Sequence, residues 1–152
     1  MFSKASDGWE TPQDFYDALH AEFMFTIDGA ATAENTKCDV WLGPGSRIDG
    51  GEDALLVKWD TLTDEKIWCN PPYSKAKEFV AWAEDLRWGD NTIVMLLPVR
   101  TDTRYFHQYI YDQKQCAWRF GVKVRFLKGR LKFVGAKNYA PFPSMLVIFR
   151  SL

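Results

Sequence analysis

Apolar positions recur along this chain with two periods, and the switches between them mark out the elements. Phe15, Leu19 and Phe23 repeat at helical spacing behind Thr11-Pro12-Gln13-Asp14. There Thr11 reads as the N-cap, Pro12 as the first helical residue and Asp14 as the acid of a near capping box. "FMFTID" (Phe23–Asp28) reads as a strand ending on an acid, with a tight, small-residue "GAAT" behind it. Residues 43–53, "GPGSRIDGGED", form a glycine-rich loop, and without a following G-K-[ST] it is no phosphate loop. "KIWCN" (Lys66–Asn70) is a further strand, and Ser74 can cap a helix that turns Phe79, Trp82, Ala83 and Leu86 to one face.

"NTIVMLLP" (Asn91–Pro98) is continuously apolar, the pattern of a strand covered on both faces. Thr103 to about Tyr111 is expected to be helical. After Ala117 the character changes to consecutive strands, "AWRFGVKVRFL", "RLKFV" and "SMLVIF", separated by turn residues. Strands alternating with helices, followed by strands alone, predict an α/β sandwich with an antiparallel C-terminal edge. No repeat divides the chain, so residues 1–152 are expected to form one domain.

Composition narrows this further. The chain is 47% hydrophobic, enough for a real core, and no apolar run approaches the length needed to span a membrane. The start lacks the basic and apolar regions of a signal peptide. Three cysteines without a C-x-x-C, and two histidines without H-E-x-x-H, predict a reduced, cytoplasmic, metal-free protein. The net charge of −1 hides a division: residues 1–70 hold 5 Lys and Arg against 14 Asp and Glu, and residues 71–152 hold 14 against 6. From Arg119 to Lys137 there are seven cations and no acid. Such asymmetry suits a polyanionic partner, and equally an edge strand guarded by cations against aggregation.

Candidate chemistry gathers at "IWCNPPYSK". Proline fixes its own φ and extends the residue before it, so Asn70-Pro71-Pro72 is a stiff tip at a strand end, with Tyr73 an aromatic face beside it. In open α/β sheets ligands bind beyond the carboxyl ends of the strands, where Asp28 and Asn70 both fall. A conjugated amine is a poor nucleophile. The Asn70 side-chain oxygen and the Pro71 carbonyl can each accept one of its hydrogens, freeing the lone pair to face an electrophile. Tyr73 can stack on the ring that bears the amine.

A [D/N/S]-P-P-[Y/F] tip is the signature of amino-group methyltransferases. The chain resembles the phage-type DNA N6-adenine methyltransferases (the phage Dam family) over nearly its whole length. The resembling segments are "WETP" (Trp9–Pro12), "FTIDGAATAEN" (Phe25–Asn35), "WCNPPYS" (Trp68–Ser74), "MLLPVRTDT" (Met95–Thr103), "KGRLKFV" (Lys128–Val134) and "PFPSMLVIF" (Pro141–Phe149). Their order matches the γ arrangement of such enzymes. The resemblance implies a Rossmann-like, S-adenosyl-L-methionine-dependent methyltransferase fold: a mostly parallel twisted sheet, an antiparallel C-terminal hairpin and helices on both faces. It also implies double-stranded DNA as partner and methyl transfer to the exocyclic amine of a flipped adenine.

The same resemblance distributes roles. Asn70, Pro71, Pro72 and Tyr73 would be catalytic, and Asn70 would also touch the cofactor. Trp9, Thr11, Pro12, Asp28, Gly29, Ala30, Ala31, Asn35, Asp53 and Ala54 would bind S-adenosylmethionine. Asp28 is expected near its methionine amino group or as a cap of the next turn, and Asp53 at its adenine amine or solvated in its loop. Asp39 is the candidate for the ribose hydroxyls. Where the wider superfamily carries F-x-G-x-G, this chain has Asp28-Gly29-Ala30-Ala31. Ser74, Arg100, Thr101, Arg104, Lys128, Arg130 and Lys132 would face DNA, with surface solvation the alternative for Arg100, Thr101 and Arg104. Phe133 would be a second face for the base or a core residue. RNA adenine methylation would use the same tip, and a non-enzymatic nucleic-acid binder would need only the basic half. Glutamine-amide methyltransferases share the tip but carry a glycine-rich cofactor turn and an extra domain. A homodimer would supply further DNA contacts.

Overall fold

The structure, a computed structural model, describes residues 8–151. Five strands form one sheet in the order β1 (Ile27–Asp28), β2 (Lys66–Cys69), β3 (Thr92–Pro98), β7 (Ser144–Phe149), β6 (Val122–Phe126). β1, β2 and β3 pair in parallel, with Ile27 opposite Ile67 and Cys69 opposite Met95. β7 runs antiparallel to both β3 and β6. The sheet is therefore mixed, with β7 alone running against the other four strands. Two short strands, β4 (Tyr111–Asp112) and β5 (Ala117–Trp118), make a separate antiparallel pair.

All seven residues of β3 are buried, as its unbroken apolar run requires. The pleat divides the central strands between two hydrophobic clusters. Ile67, Cys69, Ile93, Met95, Leu97, Met145, Val147 and Phe149 join Phe79, Val80, Trp82, Ala83 and Leu86 of the helix α2 (Ala76–Leu86). Trp68, Val94, Leu96, Leu146 and Ile148 join Tyr16, Leu19 and Phe23 of the helix α1 (Gln13–Phe23). α1 stops where Met24 turns left-handed at φ 57° and its N–H bonds the His20 carbonyl at 2.8 Å. Asn91, 1% exposed, ties the turn into β3 to the approach of β2. Its Nδ2 donates to the carbonyls of Leu62 and Leu86, and its Oδ1 accepts the Glu65 N–H at 2.9 Å.

Several local expectations are corrected. Thr11 caps nothing: α1 begins behind Pro12 with no side-chain cap, and the Thr11 hydroxyl is committed elsewhere. Ser74 lies in a 3₁₀ turn (Tyr73–Lys75) instead of capping α2. The "FMFTID" strand shrinks to Ile27–Asp28, because α1 runs through Phe23 and the Phe25 N–H bonds His20 Nδ1 at 3.0 Å. Thr103 to about Tyr111 is helical as expected, as a short turn that runs into a π-helix over Phe106–Ile110 before Tyr111 opens β4. "RLKFV" is no strand. Its backbone bonds go to Ala140 and to Glu10, with the Val134 N–H on the Glu10 carbonyl at 3.0 Å.

Among the described residues no helix is long and apolar enough to cross a membrane, and no three His, Cys, Asp or Glu gather as metal ligands.

Candidate active site

β1 and β2 end side by side, which brings Asp28 and Asn70 to one edge of the sheet. Asp28 is 3% exposed, and its two oxygens accept the Ala30 N–H at 3.2 Å and the Lys37 N–H at 2.9 Å. The carboxylate thereby folds residues 30–37 around itself. Burial pushes its pKa up to about 6, against the pull of those two N–H groups. No ion pair among the described residues involves Asp28, so its charge is offset chiefly by the two backbone N–H groups, with the Lys37 charge adding a smaller pull.

The small residues behind Asp28 have steric reasons. A Cβ on Gly29 would meet Ile67 Cγ2 at 2.9 Å and the Trp82 ring at 3.0 Å. Residues 40–43 run parallel beside 28–31: Asp28 donates to the Val40 carbonyl, Leu42 to Asp28 and Ala31 to Leu42. Gly43, at φ 138°, sits so close to the Ala31 carbonyl that a Cβ would overlap it at 1.9 Å. Its N–H bonds the Gly51 carbonyl at 2.8 Å, which folds the glycine-rich loop back on itself. Ser46, Arg47, Ile48, Asp49 and Asp53 of that loop line an open depression. Asp53 is exposed and caps a 3₁₀ turn (Ala54–Leu56) through the Leu55 N–H at 3.1 Å. Ala54 is buried, Asp39 is exposed, and Asn35, also exposed, closes its own turn on the Thr32 N–H at 2.8 Å.

Asn70 is held by a strap from the N-terminal region. Its Nδ2 donates to the Trp9 carbonyl and, at 3.0 Å, to the Thr11 hydroxyl. A carbonyl can only accept, so the Trp9 contact fixes which end of the carboxamide is nitrogen. Oδ1 is left buried with no partner. Such an atom is costly unless something else donates to it. Pro71 and Pro72 are buried behind it.

Tyr73 is half-buried, and it meets Phe142 edge-on at 5.6 Å. Its hydroxyl also has no partner. Burial raises the phenol well above its usual range, with Cys69 and Tyr105 adding to the rise. The Trp9 ring packs on Phe133 at 5.3 Å and on Phe142 at 5.5 Å. Phe133 is 2% exposed within this cluster, so the core alternative describes its position. Phe142, which closes the ring around the tip, lies in the resembling segment Pro141–Phe149, but the resemblance gives it no role there.

The proposed DNA-facing residues lie on three segments, the first being the turn after the tip, where Ser74 is exposed. Arg100, Thr101 and Arg104 are exposed just past β3, where the Thr101 carbonyl accepts from His107 Nε2 at 2.7 Å. Lys128, Arg130 and Lys132 are exposed on the irregular segment that ends against the strap. The seven-cation run is thus not uniform. Arg119 bonds the His107 carbonyl, Arg125 pairs with Glu22 at 2.8 Å, and Lys123 and Arg125 stand exposed on the edge strand β6. That placement fits an edge guarded by charge for those two.

Asp28 is buried without a salt-bridge partner among the described residues, and Asn70 Oδ1 is buried without a donor, so an ammonium group would complete the first and an amine hydrogen the second. A family model described as "DNA N-6-adenine-methyltransferase (Dam)" matches residues 2–152. The chain is similar to a DNA N-6-adenine-methyltransferase of Escherichia phage T1, 28% identical over 113 residues, covering 74% of this chain and 44% of the relative. It is also similar to a DNA N-6-adenine-methyltransferase of Haemophilus phage HP1, 27% identical over 146 residues, covering 94% of this chain and 78% of the relative. The chain therefore spans less than half the length of the T1 protein.

Proposed function

The chain belongs to the DNA N-6-adenine-methyltransferase (Dam) family, and from that premise we propose that it methylates the N6 amine of adenine in DNA with S-adenosylmethionine as donor. The observation that carries the reading is the Asn70 carboxamide, whose nitrogen is engaged by the strap while its buried oxygen has no partner. An adenine N6–H would complete Oδ1, and the Pro71 carbonyl would take the second hydrogen. Held this way, the nitrogen lone pair leaves conjugation with the ring and the developing positive charge is stabilised. Asn70 acts here as an acceptor and not as a base. Tyr73, steadied by Phe142, stacks on the flipped base.

Bound S-adenosylmethionine supplies an electrophilic methyl group on a sulfonium. Asp28 would face its ammonium group, Gly29 to Ala31 would let its methionine portion close to the backbone, and Asp53 would meet its adenine amine. Under this reading the mixed sheet is of the Rossmann-like methyltransferase type, with helices on both faces. Double-stranded DNA would be the partner, met by Arg100, Arg104, Lys128, Arg130 and Lys132 at phosphates, and the host cytoplasm would be the place of action. These loops carry cations and little that reads base edges, so recognition extends to one or two bases around the adenine.

The deciding experiment incubates the protein with labelled cofactor and DNA, RNA or release-factor protein and identifies the modified atom. N6-methyladenine in DNA is expected, with Asn70→Ala losing transfer while still binding cofactor by calorimetry. Label in RNA alone, or near-normal transfer by the Asn70 variant, overturns the reading.

A further inference from the structure

The Asn70 carboxamide has two nearly isosteric orientations, and only one offers its oxygen to an incoming amine. The Trp9 carbonyl selects that orientation, because it can only accept. Thr11 does something different. Its hydroxyl takes the second Nδ2 hydrogen at 3.0 Å, and two anchors at one end of a planar group stop it rocking about its Cβ–Cγ bond. Thr11 is 2% exposed and α1 has no side-chain cap, so the hydroxyl oxygen is spent as an acceptor on Asn70. The strap around it is clamped: the Trp9 ring lies against Phe133 and Phe142, and the Glu10 carbonyl accepts the Val134 N–H.

We infer that Thr11 is a positioning residue for methyl transfer, pinning the plane of the Asn70 carboxamide so that Oδ1 meets the target amine. The inference rests on the proposed adenine methylation, and it differs from the cofactor contact that family resemblance suggests for Thr11. A cofactor contact would change affinity for S-adenosylmethionine. A positioning role changes turnover and leaves that affinity alone.

Thr11→Val keeps the shape and removes the acceptor, and Thr11→Ser keeps the acceptor. Thr11→Ala, a smaller acceptor-free side chain, substitutes for valine should that variant not fold. Loss of one such bond is expected to lower kcat about tenfold in the valine variant, with cofactor Kd within about twofold of wild type. Serine should recover most of the loss. A readout free of activity accompanies this: hydrogen exchange of the Asn70 side-chain amide by ¹⁵N NMR, slow in wild type and serine, faster in valine. Wild-type kcat in the valine variant, weaker cofactor binding with kcat unchanged, or a serine variant as slow as valine would each overturn the role. If the wild type methylates no adenine at all, the functional reading fails on its own, and the exchange pattern still decides whether Thr11 pins Asn70.

Discussion

Replacing Asp28 with asparagine should change how stability responds to pH, by an amount that follows from its burial. The wild-type carboxyl titrates at about 6 in the fold against an ordinary 3.8, because burial penalises its charged form. A carboxyl raised in this way holds more protons folded than unfolded between those two values. Stability therefore falls as pH rises from about 4 to about 6 and is unaffected by this group above that window. A shift of roughly two pH units corresponds to about 3 kcal/mol. Asparagine does not titrate, and with one oxygen it can satisfy only one of the Ala30 and Lys37 N–H groups, a cost of about 1–3 kcal/mol at every pH. The wild-type advantage should thus be largest near pH 4 and shrink by about 3 kcal/mol on reaching pH 7. Urea unfolding of both proteins across that range measures it, and the other titrating groups cancel in the difference. A difference that stays constant with pH would refute the argument. Binding of a cationic ligand beside Asp28 adds a linked test: S-adenosylmethionine affinity should drop below about pH 6, where a proton has to be displaced first.

Tyr73→Phe deletes a buried hydroxyl without a partner, so it should hold or slightly raise the melting temperature and keep most transfer activity, whereas Tyr73→Ala removes the ring from Phe142 and should lower both. Equal damage from phenylalanine and alanine would mean the hydroxyl has a task of its own. Gly29→Ala should cost about 1–3 kcal/mol by pressing a methyl group on Ile67 and Trp82, seen as a lower urea midpoint at unchanged slope. Lys128→Ala with Lys132→Ala should weaken DNA binding alike on unrelated sequences and flatten the salt dependence by a slope of about two, measured by fluorescence anisotropy. Mapping of N6-methyladenine on a random-sequence duplex should return a short motif, and a strict motif of about four or more bases would contradict phosphate-dominated recognition.

Much of the framework could be read from periodicity alone. The Phe79, Trp82, Ala83 and Leu86 face of α2 and the doubly covered β3 are buried as their patterns require, and Asn70 does stand just past a strand. What the pattern hid were contacts whose partners are remote in the chain. Thr11-Pro12 has the local form of a helix start, yet its hydroxyl belongs to Asn70, 59 residues away. "RLKFV" alternates like a strand and does bury Phe133, but its backbone is used to clasp Glu10 and Ala140 and joins no ladder. Phe142 sits between two prolines, where no period exists to announce it. Buried Asp28 is similar: that it would be enclosed by the N–H groups of residues 30–37 depends on a loop closing, which no propensity encodes.

β7 is the last of the described strands in chain order, and it separates β3 from β6 in the sheet. Assembly therefore cannot keep pace with synthesis. A nascent chain that has emerged only through residue 143 carries β1, β2 and β3 with one long side of β3 open, and β6 without β7, the strand it pairs with among the described residues. Ribosome-stalled chains should stay sensitive to protease until residues 144–149 clear the exit tunnel, and then become resistant in a single step. A synthetic peptide spanning that strand, added to a chain cut before it, should restore the fold in trans.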